Sequence, residues 1–166
     1  GINLHSAHAY LLDQFFSPLI NKRTDAYNGY TLEGRTRIHM ELIKGIRQVI
    51  GDKSLFALRL GGCDYTVGGT TIEDAVWACR RFEEAGVDLL DISGGTCCYA
   101  RKGHNYPGYF GDISEAVKKE VHIPVLLTGG VRTVQDAEIL LKEEKADMIG
   151  VGRIITAKPD WGMELI

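Results

Sequence analysis

At 166 residues, with 45% hydrophobic and 25% charged residues, the chain has the composition of an ordinary globular domain long enough to bury a core. A net charge of −3 and a pI near 6.0 supply no basic field for nucleic acid or an anionic membrane surface, and no apolar run approaches the ~20 residues of a membrane span. The four cysteines, Cys63, Cys79, Cys97 and Cys98, form neither a CxxC pair nor a zinc spacing; they read as free thiols of a reducing cytoplasm, and no metal site is expected.

The apolar run Ile2-Asn3-Leu4 reads as the end of a buried strand begun before Gly1. It delivers His5-Ser6-Ala7-His8-Ala9-Tyr10, two imidazoles and a phenol within six positions. Such side chains can donate to a developing oxyanion, and a phenol can also deliver a proton. From Glu33 to Ile50 a stripe of Ile38, Leu42, Ile43 and Ile46 predicts a helix that stops at Gly51. Leu55–Leu60 is a short apolar run closed by Gly61-Gly62 and contains Arg59. Thr71 reads as an N-cap with Asp74 at the box position, opening a helix to about Ala85 that closes at Gly86.

Val87–Ser93 is the next apolar run, closed by Gly94-Gly95, with Cys97-Cys98 just beyond it near a candidate site. A helix from Asp112 to about Val121 precedes Ile123–Thr128, closed by Gly129-Gly130. Thr133, with Asp136 three residues on, caps a helix to about Glu144, and Ala146–Val151 ends at Gly152-Arg153.

Near-continuous apolar strands alternating with helices mean βα units and a parallel sheet. Of the two parallel architectures, a (β/α)8 barrel is favoured over a doubly wound sheet. Its active face is the strands' C-terminal end, where His5, Arg59, Ser93, Gly129 and Arg153 fall. Thr128-Gly129-Gly130 and Gly150-Val151-Gly152-Arg153 would leave backbone N–H groups uncovered for a phosphate. Five strands are legible against the eight of a closed barrel, so residues 1–166 read as strands 4–8, a partial TIM barrel in one domain.

His5-Ser6-Ala7-His8-Ala9-Tyr10-Leu11, followed by Phe16-Ser17-Pro18-Leu19-Ile20-Asn21-Lys22-Arg23-Thr24-Asp25-Ala26-Tyr27, closely resembles the Old Yellow Enzyme family of FMN-dependent NAD(P)H oxidoreductases. Glu33-Gly34-Arg35-Thr36-Arg37 is similar to that family's next helix, where Asn is more usual than Gly34. Arg59, Thr128-Gly129-Gly130, Gly152-Arg153 and Lys158-Pro159-Asp160-Trp161 follow in the family's order. The segment from Cys97 to His104 matches no motif of the family.

The resemblance implies a barrel that holds FMN at the strands' C-terminal mouth, takes hydride from NADH or NADPH and reduces the C=C bond of an activated alkene, an enone or a nitroalkene. By matching position, His5 and His8 would hydrogen-bond the substrate oxygen and Tyr10 would protonate the α-carbon. Arg59 would lie at the flavin ring, and Gly129, Gly130, Gly152 and Arg153 would hold the phosphate. Some members carry an iron–sulfur cluster from cysteines beyond the barrel, a region past this chain's last residue.

Other readings compete. Arg59 could pair with Asp64 or Asp91, Arg153 could cap a sheet edge, and Gly129-Gly130 could be a plain turn. Arg35 and Arg37 read as solvated or salt-bridged helix residues, Arg23 and Asp25 as loop-ordering, and His39, His104 and His122 as structural or surface groups. In place of an active enzyme, five strands with two open edges could form a non-catalytic partial barrel that pairs with itself or with the missing N-terminal half. A phosphate-binding aldolase or isomerase using Asp64 or Asp91 is the third reading. No nucleic-acid or membrane partner is expected.

Overall fold

A computed structural model describes residues 1–165. Five strands alternate with helices: β1 (Ile2–Ser6), α1 (Leu11–Phe16), α2 (Leu32–Ile50), β2 (Phe56–Gly61), α3 (Ile72–Glu84), β3 (Leu89–Ser93), α4 (Gly111–Lys118), β4 (Val125–Thr128), α5 (Val134–Lys142), β5 (Met148–Gly150) and α6 (Arg153–Ala157). A 3-10 turn follows at Trp161–Leu165, where the Trp161 indole donates to the Arg132 carbonyl at 3.1 Å.

All neighbouring strands are parallel, and their order in the sheet is their order in the chain. A doubly wound sheet reverses strand order at a switch point. This one does not, so right-handed crossovers put every connecting helix on the same face, as in five successive units of a (β/α)8 barrel. Phe56, Leu58, Leu60, Leu90, Ile92 and Leu127 pack there, wholly buried, against Ile43, Ala75, Ala78, Phe82, Ile113 and Val117 of the helices.

The opposite face carries a different row. Register pairs His5 with Arg59, Arg59 with Asp91, Asp91 with Leu126 and Leu126 with Met148. Successive residues of a strand point to opposite faces, so this row lies on the side the helices leave open. Met148 is 46% exposed there.

Local chemistry sets the helix ends. Thr71 and Thr133 each form a full capping box, with Asp74 and Asp136, and Gly51 (φ 64°) ends α2 where expected. α4 and α5 stop short of the expected Val121 and Glu144, and Glu144 adopts a left-handed φ of 56° just past α5. The departure at Gly34 has a steric cause. A Cβ there would stand 2.5 Å from the Asn28 carbonyl oxygen and 2.6 Å from its side-chain nitrogen. The Asn28 side chain in turn accepts from the Thr31 amide and hydroxyl, both at 3.0 Å, at the cap of α2.

His39, Arg35 and Arg37 are structural, as expected. Arg35 is buried against Asp74 at 3.0 Å, and Arg37 pairs with Glu41 on the exposed surface. His39 is wholly buried, stacked on Phe82 with ring centroids 5.5 Å apart, its Nε2 2.6 Å from the Ser6 hydroxyl. Burial pushes its imidazole down from the usual 6.5 to about 4. The folded chain therefore binds fewer protons at this site than the unfolded chain, and stability falls as pH drops from 6.5 toward 4. The expected loss from this group alone reaches roughly 3 kcal/mol. Urea unfolding at pH 7 and pH 4.5 measures it. His39→Phe keeps the ring stack and should reduce that pH dependence by the share of this group, leaving the share of His5 and His8; an unchanged slope would assign it elsewhere.

Candidate functional site

The expected trio converges at the C-terminal end of β1. Ring centroids of His5 and His8 are 5.3 Å apart and those of His5 and Tyr10 5.5 Å, all in edge contact. The convergence depends on an unusual turn. His8 (φ 62°) and Ala9 (φ 59°) are consecutive left-handed residues with side chains, a conformation costing of order 1–3 kcal/mol each. Asp13, buried in the first turn of α1, accepts the Ala9 amide at 2.7 Å, and the Gln14 side chain donates to the Ala9 carbonyl at 2.7 Å. The His8 amide reaches the Gly94 carbonyl at 3.3 Å. Burial raises the Asp13 carboxyl to about 7, the Ala9 amide opposing and the Asp64 charge adding a little.

Both histidines are held toward the neutral form. Burial first, then the Arg59 charge, lowers the His5 ring, with the Ala7 carbonyl opposing. The same two causes, with His5 added, bring His8 down to about 4. Each imidazole therefore carries a single N–H at pH 7. Tyr10 is 65% exposed, and among the described residues its hydroxyl has no protein partner.

Arg59 resolves the choice between carboxylates in favour of Asp91, its neighbour across the register, at 3.5 Å. Asp64 is occupied otherwise. Its carboxylate accepts from Ser17 Oγ (2.6 Å), the Thr70 amide (2.8 Å), and the amide and hydroxyl of Thr96 (both 2.8 Å). Asp91 also accepts from Thr128 Oγ1 at 3.0 Å, and burial raises its carboxyl despite Arg59 and Thr128. Arg59 Nε is buried without a hydrogen-bond partner among the described residues.

Arg59, Asp91 and Ser93 line a cavity of about 900 Å³ together with Tyr99, Tyr109, Thr128, Gly129, Gly130, Arg132, Gly150, Gly152 and Arg153. That volume is of cofactor size. Every cofactor-holding residue expected from sequence lies on its wall. Gly130 is left-handed (φ 72°), and a Cβ on it would stand 2.5 Å from the Tyr109 ring, so the aromatic packs directly on the glycine pair. Tyr109 also donates to the Tyr99 carbonyl at 2.6 Å and accepts from Arg153 Nη2 at 3.2 Å. At Gly152 a Cβ would meet nothing within 4 Å, and that residue opens onto the cavity. Among the described residues, the amides of Gly130, Val131, Gly152 and Arg153 have no acceptor. Three guanidinium groups, those of Arg59, Arg132 and Arg153, and unpaired amides around one hollow suit an anion.

Sequence reasoning put Ser93 on the active face without a role, and did not single out Asp13, Tyr99 or Tyr109 as parts of the site. Ser93 closes the gap between the trio and the cavity, 2.8 Å from His8 Nε2 and 3.4 Å from Arg59 Nη2. Cys98 does lie beside the trio, its Sγ 3.9 Å from the His8 carbonyl oxygen, while the Cys97 thiol is directed at the Cys63 carbonyl at 3.7 Å. His104 and His122 are remote, His122 exposed beside Glu83 and His104 bonded to Tyr106.

Residues 1–165 match the family described as NADH:flavin oxidoreductase / NADH oxidase. An NADPH dehydrogenase of Halalkalibacterium halodurans is 38% identical over 163 residues, covering 98% of this chain and 47% of the relative. A 2-naphthoyl-CoA reductase solved with 2-naphthoyl-CoA superposes with a TM-score of 0.89 at 28% identity, over 99% of this chain and 26% of that one. The old yellow enzyme from Trypanosoma cruzi shares the fold, with a TM-score of 0.77 at 21% identity over 99% of this chain and 42% of that one. The chain thus spans about half the length, or less, of the proteins it matches.

Proposed function

This chain belongs to the NADH:flavin oxidoreductase / NADH oxidase family, and on that premise we propose that it forms the C-terminal part of an FMN-dependent NAD(P)H oxidoreductase that reduces activated C=C bonds of small molecules, enones or nitroalkenes. The observation that carries the reading is the junction of two half-sites. A trio of neutral donors at the end of β1 meets, across Ser93 and Arg59, a cofactor-sized hollow rimmed by cations and unpaired amides.

The residues fit the flavin nucleotide. Arg59, on the cavity wall and paired through Nε with Asp91, suits a ring acceptor by its remaining guanidinium donors, and Gly129, Gly130, Gly152 and Arg153 suit the phosphate, Arg153 by charge-assisted hydrogen bonds. Bound there, FMN would carry hydride from NADH or NADPH to the β-carbon of the alkene. His5 and His8, each with one N–H, hold the carbonyl or nitro oxygen and stabilise the negative charge that develops on it. Tyr10, exposed beside His5, delivers its proton to the α-carbon. The four free cysteines support a reducing, cytoplasmic setting.

The uncovered sheet face and the β1 edge favour a further partner segment. Ile2, Leu42, Ile46, Val49 and Ile50 line an apolar groove there, with Val49 86% exposed. The remaining strands of the barrel, or a second copy of the chain, would cover that groove. On this reading the chain alone is impaired in turnover.

An FMN titration followed by flavin fluorescence tests the phosphate cradle directly. Saturable quenching is expected, weakened about tenfold or more in Arg153→Ala, as for the loss of a charge-assisted pair. Binding indifferent to Arg153, or no binding at all, would overturn the cradle.

A further inference from the structure

Ser93 sits where the candidate oxyanion site and the cavity meet, at the end of β3. Its hydroxyl oxygen has two neighbours, Arg59 Nη2 at 3.4 Å and His8 Nε2 at 2.8 Å. The two are not equivalent. A guanidinium has donors only, so toward Arg59 the hydroxyl oxygen must accept. Its single O–H is then turned away from the cation, and the other neighbour is His8 Nε2.

His8 is neutral at pH 7, since burial and the Arg59 charge lower its ring to about 4. A neutral imidazole that accepts at one nitrogen carries its proton on the other. Nδ1 makes no hydrogen bond among the described residues. With the Ser93 O–H donated to Nε2, the one N–H of neutral His8 stands on Nδ1, free for a ligand.

We propose that Ser93 is a positioning residue that fixes His8 as its Nδ1–H tautomer, making Nδ1 the donor that meets the substrate oxygen. Arg59 sets the direction of the Ser93 hydroxyl, so a single cation serves both the cofactor hollow and the tautomer of the substrate-binding ring. With Nε2 protonated instead, His8 would point its proton at Ser93 and present a lone pair to the developing oxyanion, which repels it. The inference rests on His8 being a substrate-binding residue, but the tautomer itself is measurable without substrate or flavin.

The 166-residue chain, labelled with ¹⁵N-histidine, gives each ring's tautomer from long-range ¹H–¹⁵N correlations at pH 7.5, and the His8 signals are identified by their loss in His8→Gln. The expected spectrum shows His8 Nδ1 protonated and Nε2 in the shift range of an accepting nitrogen. In Ser93→Ala the Nε2–H form should become populated, and Ser93→Thr, which keeps the hydroxyl, should restore the original pattern. Wild-type His8 with its proton on Nε2 overturns the proposal outright, even if no variant folds. A Ser93→Ala spectrum identical to wild type overturns the assignment to Ser93.

A parallel titration with phenol, an enolate mimic, separates this inference from the reading of the site. Ser93→Ala is expected to weaken phenol about tenfold, the effect of one misdirected donor. Nδ1–H His8 in a chain that ignores phenol would refute the oxyanion role while leaving the tautomer assignment standing. Phenol affinity unchanged in Ser93→Ala, despite a changed tautomer, would remove Nδ1 as the donor.

Discussion

Tyr10→Phe is expected to slow reduction of the alkene by about 10²- to 10³-fold while leaving reduction of the flavin by NAD(P)H unchanged, the span usual for loss of a positioned general acid. The ring of Tyr10 meets His5 edge-on at 5.5 Å, and the substitution keeps that contact. Only the hydroxyl is lost, and among the described residues it holds no other group in place. Stability and flavin affinity should therefore match wild type. On the proposed reading His5 and His8 would still hold the substrate oxygen, so hydride transfer would proceed to an enolate-like species left without its proton donor. Stopped-flow measurement of the two half-reactions on flavin-loaded enzyme checks this. Equal loss in both would mean that Tyr10 supports the cofactor, and no loss in either that water supplies the proton.

Asp64→Ala is expected to cost about 3–5 kcal/mol of folding stability, the range for leaving buried partners of a charged group unsatisfied. Asp64 is 2% exposed and accepts four hydrogen bonds. Their donors belong to three segments, the loop after α1 and the loops after β2 and β3. Removing the carboxylate strands two backbone amides and two hydroxyls at once. Asp64→Asn keeps the volume but turns an NH₂ toward donors, so a smaller loss, of about 1–3 kcal/mol, is expected there. Urea unfolding of both variants gives the numbers. A change below ~1 kcal/mol in Asp64→Ala would show that apolar packing, and not this carboxylate, ties the mouth loops together.

The local parts of the fold were legible because local chemistry writes them. The Thr71–Asp74 and Thr133–Asp136 boxes close within four residues, and they stand where the sequence placed them. Strands buried between layers show as unbroken apolar runs, and β2 to β5 fall within the expected runs to a residue or two. α1 was missed because its six residues carry no side-chain N-cap bond and no clear stripe. α6, at five residues, was missed for the same lack of signal. The turn at His8-Ala9 gave no warning either, since left-handed backbone is normally announced by glycine and here is imposed by Asp13, Gln14 and Gly94 from outside.

Residue type and position along the chain mark which residues carry reactive groups and at which end of which strand they stand. His5, His8, Tyr10, Arg59, the two glycine motifs and Arg153 were all legible from residue type and position after apolar runs. The tertiary structure alone decided which of them meet. Arg59 takes Asp91 and not Asp64 because strand register puts the first pair side by side, while the Asp64 carboxylate is enclosed by the mouth loops. Ser93 reaches His8 across 85 positions of chain. Periodicity records which face of a strand a residue occupies, but register comes from how successive helices pack on the sheet, a property of the whole core that no short window of sequence contains.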